Sequence, residues 1–227
     1  MSYIFNDRAE AGRELARHLI AYAGRNDAIV LALPRGGVAV GFEVAAALGL
    51  PLDVFVVRKL GAPSRQELAV GAIAPGGVVI LDEPVIERLG ISDHEIVDEA
   101  NAERIELERR ERAYRGRAVA QDLEGKLVIL VDDGMATGST MKAAVEGVRR
   151  LGAEKVVVAV PVAPAATCHE MGNVADDVVC LHAPEIFYAV GEWYEDFSQL
   201  SDEEVRELLV EVHDMVCVAP DPPVPQR

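Results

Sequence analysis

One short segment constrains this chain more than any other: Leu127–Thr140, which reads LVILVDDGMATGST. Lys126–Val131 predicts an apolar strand that delivers two adjacent carboxylates, Asp132 and Asp133, at its carboxyl end. A small-residue loop, Gly134-Met135-Ala136-Thr137-Gly138-Ser139-Thr140, follows at once and opens a predicted helix, Gly138–Leu151. In an open α/β sheet, ligands gather at the carboxyl ends of the strands. The loop offers backbone N–H groups, hydroxyls and a helix N-terminus, which together suit a phosphate. Two carboxylates just before it cannot bind phosphate but suit vicinal hydroxyls or a hydrated Mg²⁺. A ligand with a phosphate beside a diol is a ribose 5-phosphate.

Strand and helix alternate around this segment. A helix is predicted from Asn6 as N-cap, with Phe5 as hydrophobic staple and an apolar face reaching about Tyr22. Ala28–Leu33 reads as a buried strand stopped by Pro34, Val38–Leu48 as a helix ended by Gly49, and Leu52–Val57 as the next strand. Glu154–Val160 and Asp177–Leu181 predict later strands, with a short helix over Ala165–Met171. This order implies a parallel sheet with helical crossovers. The middle differs: Leu68–Ile73 and Val78–Leu81 flank Pro75-Gly76-Gly77 and predict a hairpin. Asp82–Arg117 then carries eleven acids and seven arginines. Ser92 and Glu95 form a capping-box pattern. Glu106/Arg110, Glu108/Arg112 and Glu111/Arg115 are i,i+4 pairs expected on a solvated helix face. Ser201–Val216 predicts an acidic helix, and the proline-rich Ala219–Arg227 a disordered tail.

Composition narrows the function classes. Half of the 227 residues are hydrophobic, which excludes an intrinsically disordered chain. The chain has 22 Lys and Arg against 38 Asp and Glu, a formal net charge of −16. Such a protein is a poor general binder of nucleic acid or anionic membrane. The longest uncharged stretches, Ala69–Leu81 and Val156–Cys168, are too short to span a membrane. MSYIFNDRAEAG lacks the segments of a signal peptide. Cys168, Cys180 and Cys217 form no CxxC pair and read as small core hydrophobes in a reducing cytoplasm. No P-loop, GxGxxG or GxSxG motif is present, and Asp98 stands where a zincin helix beginning at His94-Glu95 needs its second histidine.

VDDGMATGST resembles the phosphoribosyl diphosphate (PRPP) motif of the type I phosphoribosyltransferases. The surrounding alternation extends the resemblance over about 28–181, and the whole sequence is similar to bacterial phosphoribosyltransferases of unassigned acceptor. The resemblance implies a Rossmann-like parallel sheet flanked by helices, with a helical and hairpin insertion at about 68–117 and a small C-terminal hood at about 182–218. Residues 1–218 would form one domain. By similarity, Asp132 and Asp133 hold the ribose hydroxyls and, directly or through water, Mg²⁺. Ala136, Thr137, Gly138, Ser139 and Thr140 cradle the 5-phosphate. Leu33-Pro34-Arg35-Gly36-Gly37 takes the place of the family's pyrophosphate loop, with Arg35 as guanidinium and glycines admitting a polyanion. Arg58 and Lys59, expected at the end of the second core strand, face the same anion, and Arg35 and Lys59 join the acid pair as catalytic residues. A mobile lid falls in Ala62–Ala72, with Arg65, Gln66 and Glu67. In the hood, Phe187, Tyr188, Trp193, Tyr194 and Phe197 cluster, and Trp193 or Tyr194 is placed to stack on an acceptor base.

The implied reaction moves ribose 5-phosphate from PRPP to a nitrogen acceptor such as a nucleobase and releases pyrophosphate, with Mg²⁺ as cofactor and a homodimer as the family's habit. Ala136 stands where the 6-oxopurine enzymes carry an acid, which argues against a hypoxanthine or guanine acceptor of that pattern. The alternative is a non-catalytic PRPP or nucleotide sensor acting through protein partners. From Pro184 onward eleven acids meet two arginines, so the acidity concentrates away from the expected phosphate sites.

Overall fold

The computed structural model describes residues 4–63, 65–116 and 122–217. The side chains of Arg65, Gln66 and Glu67, expected in the lid, and the tail 219–227 lie outside the described residues. In chain order the strands are β1 (Ala28–Ala32), β2 (Leu52–Val54), β3 (Arg58–Ala62), β4 (Arg65–Ala74), β5 (Val78–Leu81), β6 (Leu127–Val131), β7 (Lys155–Val162) and β8 (Asp177–His182). The helices are α1 (Arg8–His18), α2 (Gly36–Leu48), α3 (Glu83–Leu89), α4 (Asp93–Arg115), α5 (Ser139–Arg150), α6 (Ala165–Met171) and α7 (Asp202–Cys217). No helix among the described residues is long and apolar enough to cross a membrane.

Five strands form a parallel sheet in the order β2-β1-β6-β7-β8. Its central strands read as unbroken apolar runs because helices cover both faces. Val30, Ile129, Val131 and Val157 pack with Leu15, Val40, Val44 and Val212, from α1, α2 and α7. The alternate residues Ile29, Leu31, Val128, Leu130 and Val158 point the other way, onto Met141, Ala144, Val145 and Val148 of α5. Each such buried side chain contributes about 1.5–3 kcal/mol. Ala32 pairs with Val131, so β1 and β6 end level with each other. The chain leaves β1 through α2 toward one edge and leaves β6 through α5 toward the other. The order of the sheet reverses between these two strands, and their carboxyl ends bound a crevice.

The remaining strands form a separate antiparallel sheet, β3-β4-β5, inserted with α3 and α4 between β2 and β6. Leu60, Val70 and Ile73 of this sheet pack with Ile96, Leu107 and Tyr114 of α4 and Val205 of α7. The expected hairpin around Pro75-Gly76-Gly77 is its β4–β5 turn. Ser92 and Glu95 close the capping box of α4.

Three local readings change. The N-cap of α1 is Asp7, not Asn6, because the Asp7 carboxylate accepts the Glu10 amide at 2.7 Å. Arg58–Ala62 does not end a core strand. The core strand β2 stops at Val54, and 58–62 opens the second sheet. Arg115 is not on a solvated face: it turns inward, 10% exposed, onto the equally covered Asp53 of β2.

Candidate functional site

Two loops meet at the crevice. The first, Leu33-Pro34-Arg35, runs from β1 into α2, and its Pro34–Arg35 peptide is cis. The second, 132–138, runs from β6 into α5. Neither N-cap residue caps its helix with its side chain. Ser139 N–H donates to Thr137 Oγ1 at 3.4 Å and Val38 N–H to the Arg35 carbonyl at 3.1 Å, and both amino ends keep the positive end of the helix dipole.

The two loops are in contact. A Cβ on Gly36 would lie 1.9 Å from Asp133 Oδ2, and one on Gly37 would lie 3.0 Å from Asp132 Oδ1 and 2.9 Å from the Val131 carbonyl oxygen. Glycine at both positions is thus a condition for bringing the Pro-Arg-Gly-Gly turn against the acid pair. At the other end of the second loop, Gly138 takes φ +70°. Thr167 of α6 donates its hydroxyl to the Ala136 carbonyl at 2.8 Å. Ala136, Thr137 and Ser139 are exposed, and the Thr137 and Ser139 hydroxyls lie 3.0 Å apart. The loop is shaped from behind and open in front.

The two acids are held differently. Asp133 receives Arg8 Nε on Oδ2 at 2.8 Å, and its backbone carbonyl receives the Tyr194 hydroxyl at 2.6 Å. Asp132 accepts the Asp133 amide at 2.9 Å on Oδ1, the one hydrogen bond its carboxylate makes among the described residues. Burial, and then the neighbouring Asp133, push the Asp132 carboxyl well above the ordinary aspartate value. Burial raises Asp133 too, and the Arg8 guanidinium opposes that rise. Burial and the charge of Asp133 keep the Tyr194 phenol protonated, so it remains a donor.

The cations expected around the anion occupy different situations. Arg35 reaches the segment before α7, donating to Gln199 Oε1 at 3.2 Å and lying 3.7 Å from Asp202. Arg58 donates to Glu103 of α4 at 2.6 Å. Lys59 is exposed and has no ion-pair partner among the described residues. It lines a cleft of about 440 Å³ together with Arg58, Glu103, Arg110 and Thr140. It also borders a larger cavity, about 680 Å³, between α5 and the second sheet, which Ser139 and Thr140 reach as well. The fold therefore brings Lys59 near Ser139 and Thr140, while Arg35 and Arg58 are paired with side chains of other segments.

The hood aromatics divide. Tyr194 is buried, with Phe5 and Phe197 against its ring at centroid distances of 5.6 and 5.1 Å. Its task in this arrangement is to hold Asp133. Trp193 stacks on His182 at 6.0 Å. The most open aromatic of the cluster is Tyr188, 79% exposed on the loop after β8. The same loop lays Val190 over Gly134, where an added Cβ would come within 2.6 Å of Val190 Cγ1. Arg8, Thr167 and Val190 are site residues that sequence reasoning missed. A single sequence carries no signal for Arg8 or Thr167, since each acts on a loop far along the chain.

An open α/β sheet whose order reverses between β1 and β6, with an acid pair and two helix amino ends at that point, has the arrangement at which folds of this class hold their ligands. The chain belongs to the phosphoribosyl transferase domain family, whose model matches residues 4–196. It is 43% identical over 227 residues to "Putative phosphoribosyl transferase Rv0571c" of Mycobacterium tuberculosis strain H37Rv, an alignment covering 97% of this chain and 51% of that protein. The chain thus spans about half the length of the curated relatives it matches. It is 42% identical to TT1426 from Thermus thermophilus, whose crystal structure superposes with a TM-score of 0.81 over 93% of this chain and 99% of that one. The parallel sheet flanked by helices expected from the resemblance is the one observed.

Proposed function

We propose that the protein transfers ribose 5-phosphate from PRPP to a nitrogen acceptor, such as a nucleobase. The bond from C1 to the diphosphate oxygen breaks, a C1–N bond forms on the opposite face, and the acceptor loses one proton. The observation that carries this reading is the contact of the Pro-Arg-Gly-Gly turn with Asp132 and Asp133, beside an uncapped, solvent-open loop. These neighbours match the three parts of PRPP: diphosphate at the turn, diol at the acids, 5-phosphate at 136–140.

In this assignment Lys59 is the first cation available to the diphosphate. Arg35 joins it by giving up Asp202, a cheap exchange because an exposed pair is worth about 0–1 kcal/mol. Arg58 must leave a closer, half-buried partner, Glu103, so its recruitment costs more. The lid is assigned to Ala62–Ala72, with Arg65, Gln66 and Glu67, and the acceptor to the side of the crevice beneath the loop carrying Tyr188. Residues 1–218 act as one domain in this reading.

The donor set fits Mg²⁺ that travels with its ligand. Among the described residues no three His, Cys, Asp or Glu side chains cluster to cage a metal. Asp132 and Asp133 would hold it, directly or through water. When bound it neutralises diphosphate charge and improves the leaving group. The chain's own residues orient the sugar, present N–H donors to developing charge and exclude water.

The test is a turnover assay with purified protein, Mg²⁺, PRPP and a panel of nitrogen bases, following pyrophosphate. Release that depends on one acceptor supports the enzyme reading. Tight PRPP binding without turnover on any acceptor overturns it in favour of a sensor.

A further inference from the structure

Arg8 stands where three parts of the molecule meet. It is the first residue of α1 and its side chain is 10% exposed. Nε donates to Asp133 Oδ2 at 2.8 Å, and a terminal nitrogen donates to the Ser198 carbonyl, also at 2.8 Å. The guanidinium carbon lies 4.0 Å from the centre of the Phe197 ring. A Cβ on Gly36 would come within 3.0 Å of Nε, so the same group also abuts the Pro-Arg-Gly-Gly turn. A planar fork satisfies a carboxylate, a carbonyl and an aromatic face at once, which a lysine ammonium cannot reproduce.

Beside it, Tyr194 of the same C-terminal segment holds the Asp133 carbonyl. Phe5, two residues before the helix cap, pairs with Tyr194 by a backbone bridge. Segments 5–8 and 193–198 thus form one clamp, and Arg8 is the member of it that reaches a carboxylate of the site.

We propose that Arg8 is a positioning residue of the ribose site: it fixes the Asp133 carboxylate and ties it to segment 194–198, so that ligand engaged by the acid pair tightens the hood. This rests on the assignment of the PRPP diol to Asp132 and Asp133. Losing a charge-assisted hydrogen bond to a functional carboxylate corresponds to about a tenfold to hundredfold loss of affinity.

The test compares wild type, Arg8→Lys and Arg8→Gln by calorimetry with Mg²⁺ and PRPP, and by amide exchange across 194–198 with and without those ligands. The wild type should gain protection at 194–198 on binding. Arg8→Lys keeps the charge and should still bind, several-fold more weakly, without that gain in protection. Arg8→Gln should lose about tenfold or more in affinity. If Arg8→Gln does not fold, Arg8→Lys alone decides. Wild-type affinity together with wild-type ligand-linked protection in a folded variant overturns the proposal, because a merely structural arginine would lower the melting temperature and leave both readouts intact. The double variant Asp132→Ala, Asp133→Ala separates the failures. If it too binds PRPP normally, the site assignment is wrong; if it loses binding while the Arg8 variants do not, only the role of Arg8 is.

Discussion

Two clusters of covered charge are built in opposite ways. In the insertion, Arg115 donates to both oxygens of Asp53, to Glu111 and to the Val54 carbonyl, and each acid of the cluster meets the arginine. At the crevice two acids also face one arginine, but Arg8 reaches only Asp133, while Asp132 has a single backbone amide. The first cluster has spent its hydrogen-bonding capacity on its neighbours and fastens α4 to β2. The second keeps a carboxylate in reserve. What separates the two clusters is unspent hydrogen-bonding capacity, not the number of charges.

That contrast can be broken at either end. The largest expected effect on the fold is at the spent cluster. Arg115→Ala leaves Asp53 covered and unpaired and should cost about 3–5 kcal/mol in denaturant unfolding. The affinity of the remaining folded protein for PRPP should be unchanged; a specific loss of affinity would show that the two clusters are not independent. Next comes Gly36→Ala, which forces a methyl against the Asp133 carboxylate. Overpacking of this kind costs about 1–3 kcal/mol, and PRPP binding measured by calorimetry should weaken in the same variant.

Asp132→Asn should have the opposite sign on stability. The folded protein holds the Asp132 proton more tightly than the unfolded chain does. Its stabilising contribution is therefore complete below the ordinary aspartate value and is lost as pH rises through the raised folded value. The variant should melt higher than wild type at neutral pH. That advantage should vanish near the ordinary aspartate value, and PRPP binding should be lost. Equal melting across that range would remove the argument for a reserved charge. The smallest effect belongs to Asp202→Asn, which frees Arg35 from an exposed partner 3.7 Å away. Stability should move by less than about 1 kcal/mol, and PRPP affinity should rise by no more than about fivefold.

How much of this was legible in the sequence follows from the range of each interaction. The strand Leu127–Val131, its acids and its small-residue loop are contiguous, and so are the β1–α2 turn and the capping box at Ser92. Local pattern suffices for them. The second sheet was half read: the β4–β5 hairpin has a local turn, whereas β3 is hidden because Phe55, Val56 and Val57 continue the apolar run of β2. The pairing of β3 with β4 is also interrupted by register shifts at Gly61. Arg115 lies 62 residues from Asp53 and Arg8 lies 125 from Asp133, so neither pairing leaves a periodic trace. The i,i+4 rule correctly placed Arg115 beside Glu111 but could not say which way that face turns. Tyr194 was legible as an aromatic of the hood, while its hydroxyl bond to the Asp133 carbonyl was not.

The bridge between Phe5 and Tyr194 has a bearing on how the protein is made. A ribosome releases α1, both loops and the acid pair long before residues 193–198 emerge. Until they do, Asp133 lacks its tyrosine and Arg8 lacks its carbonyl and its ring. A nascent chain therefore carries both loops and the acid pair before the segment that orders them, and the arrangement around Asp133 is complete only once residues 193–198 have emerged.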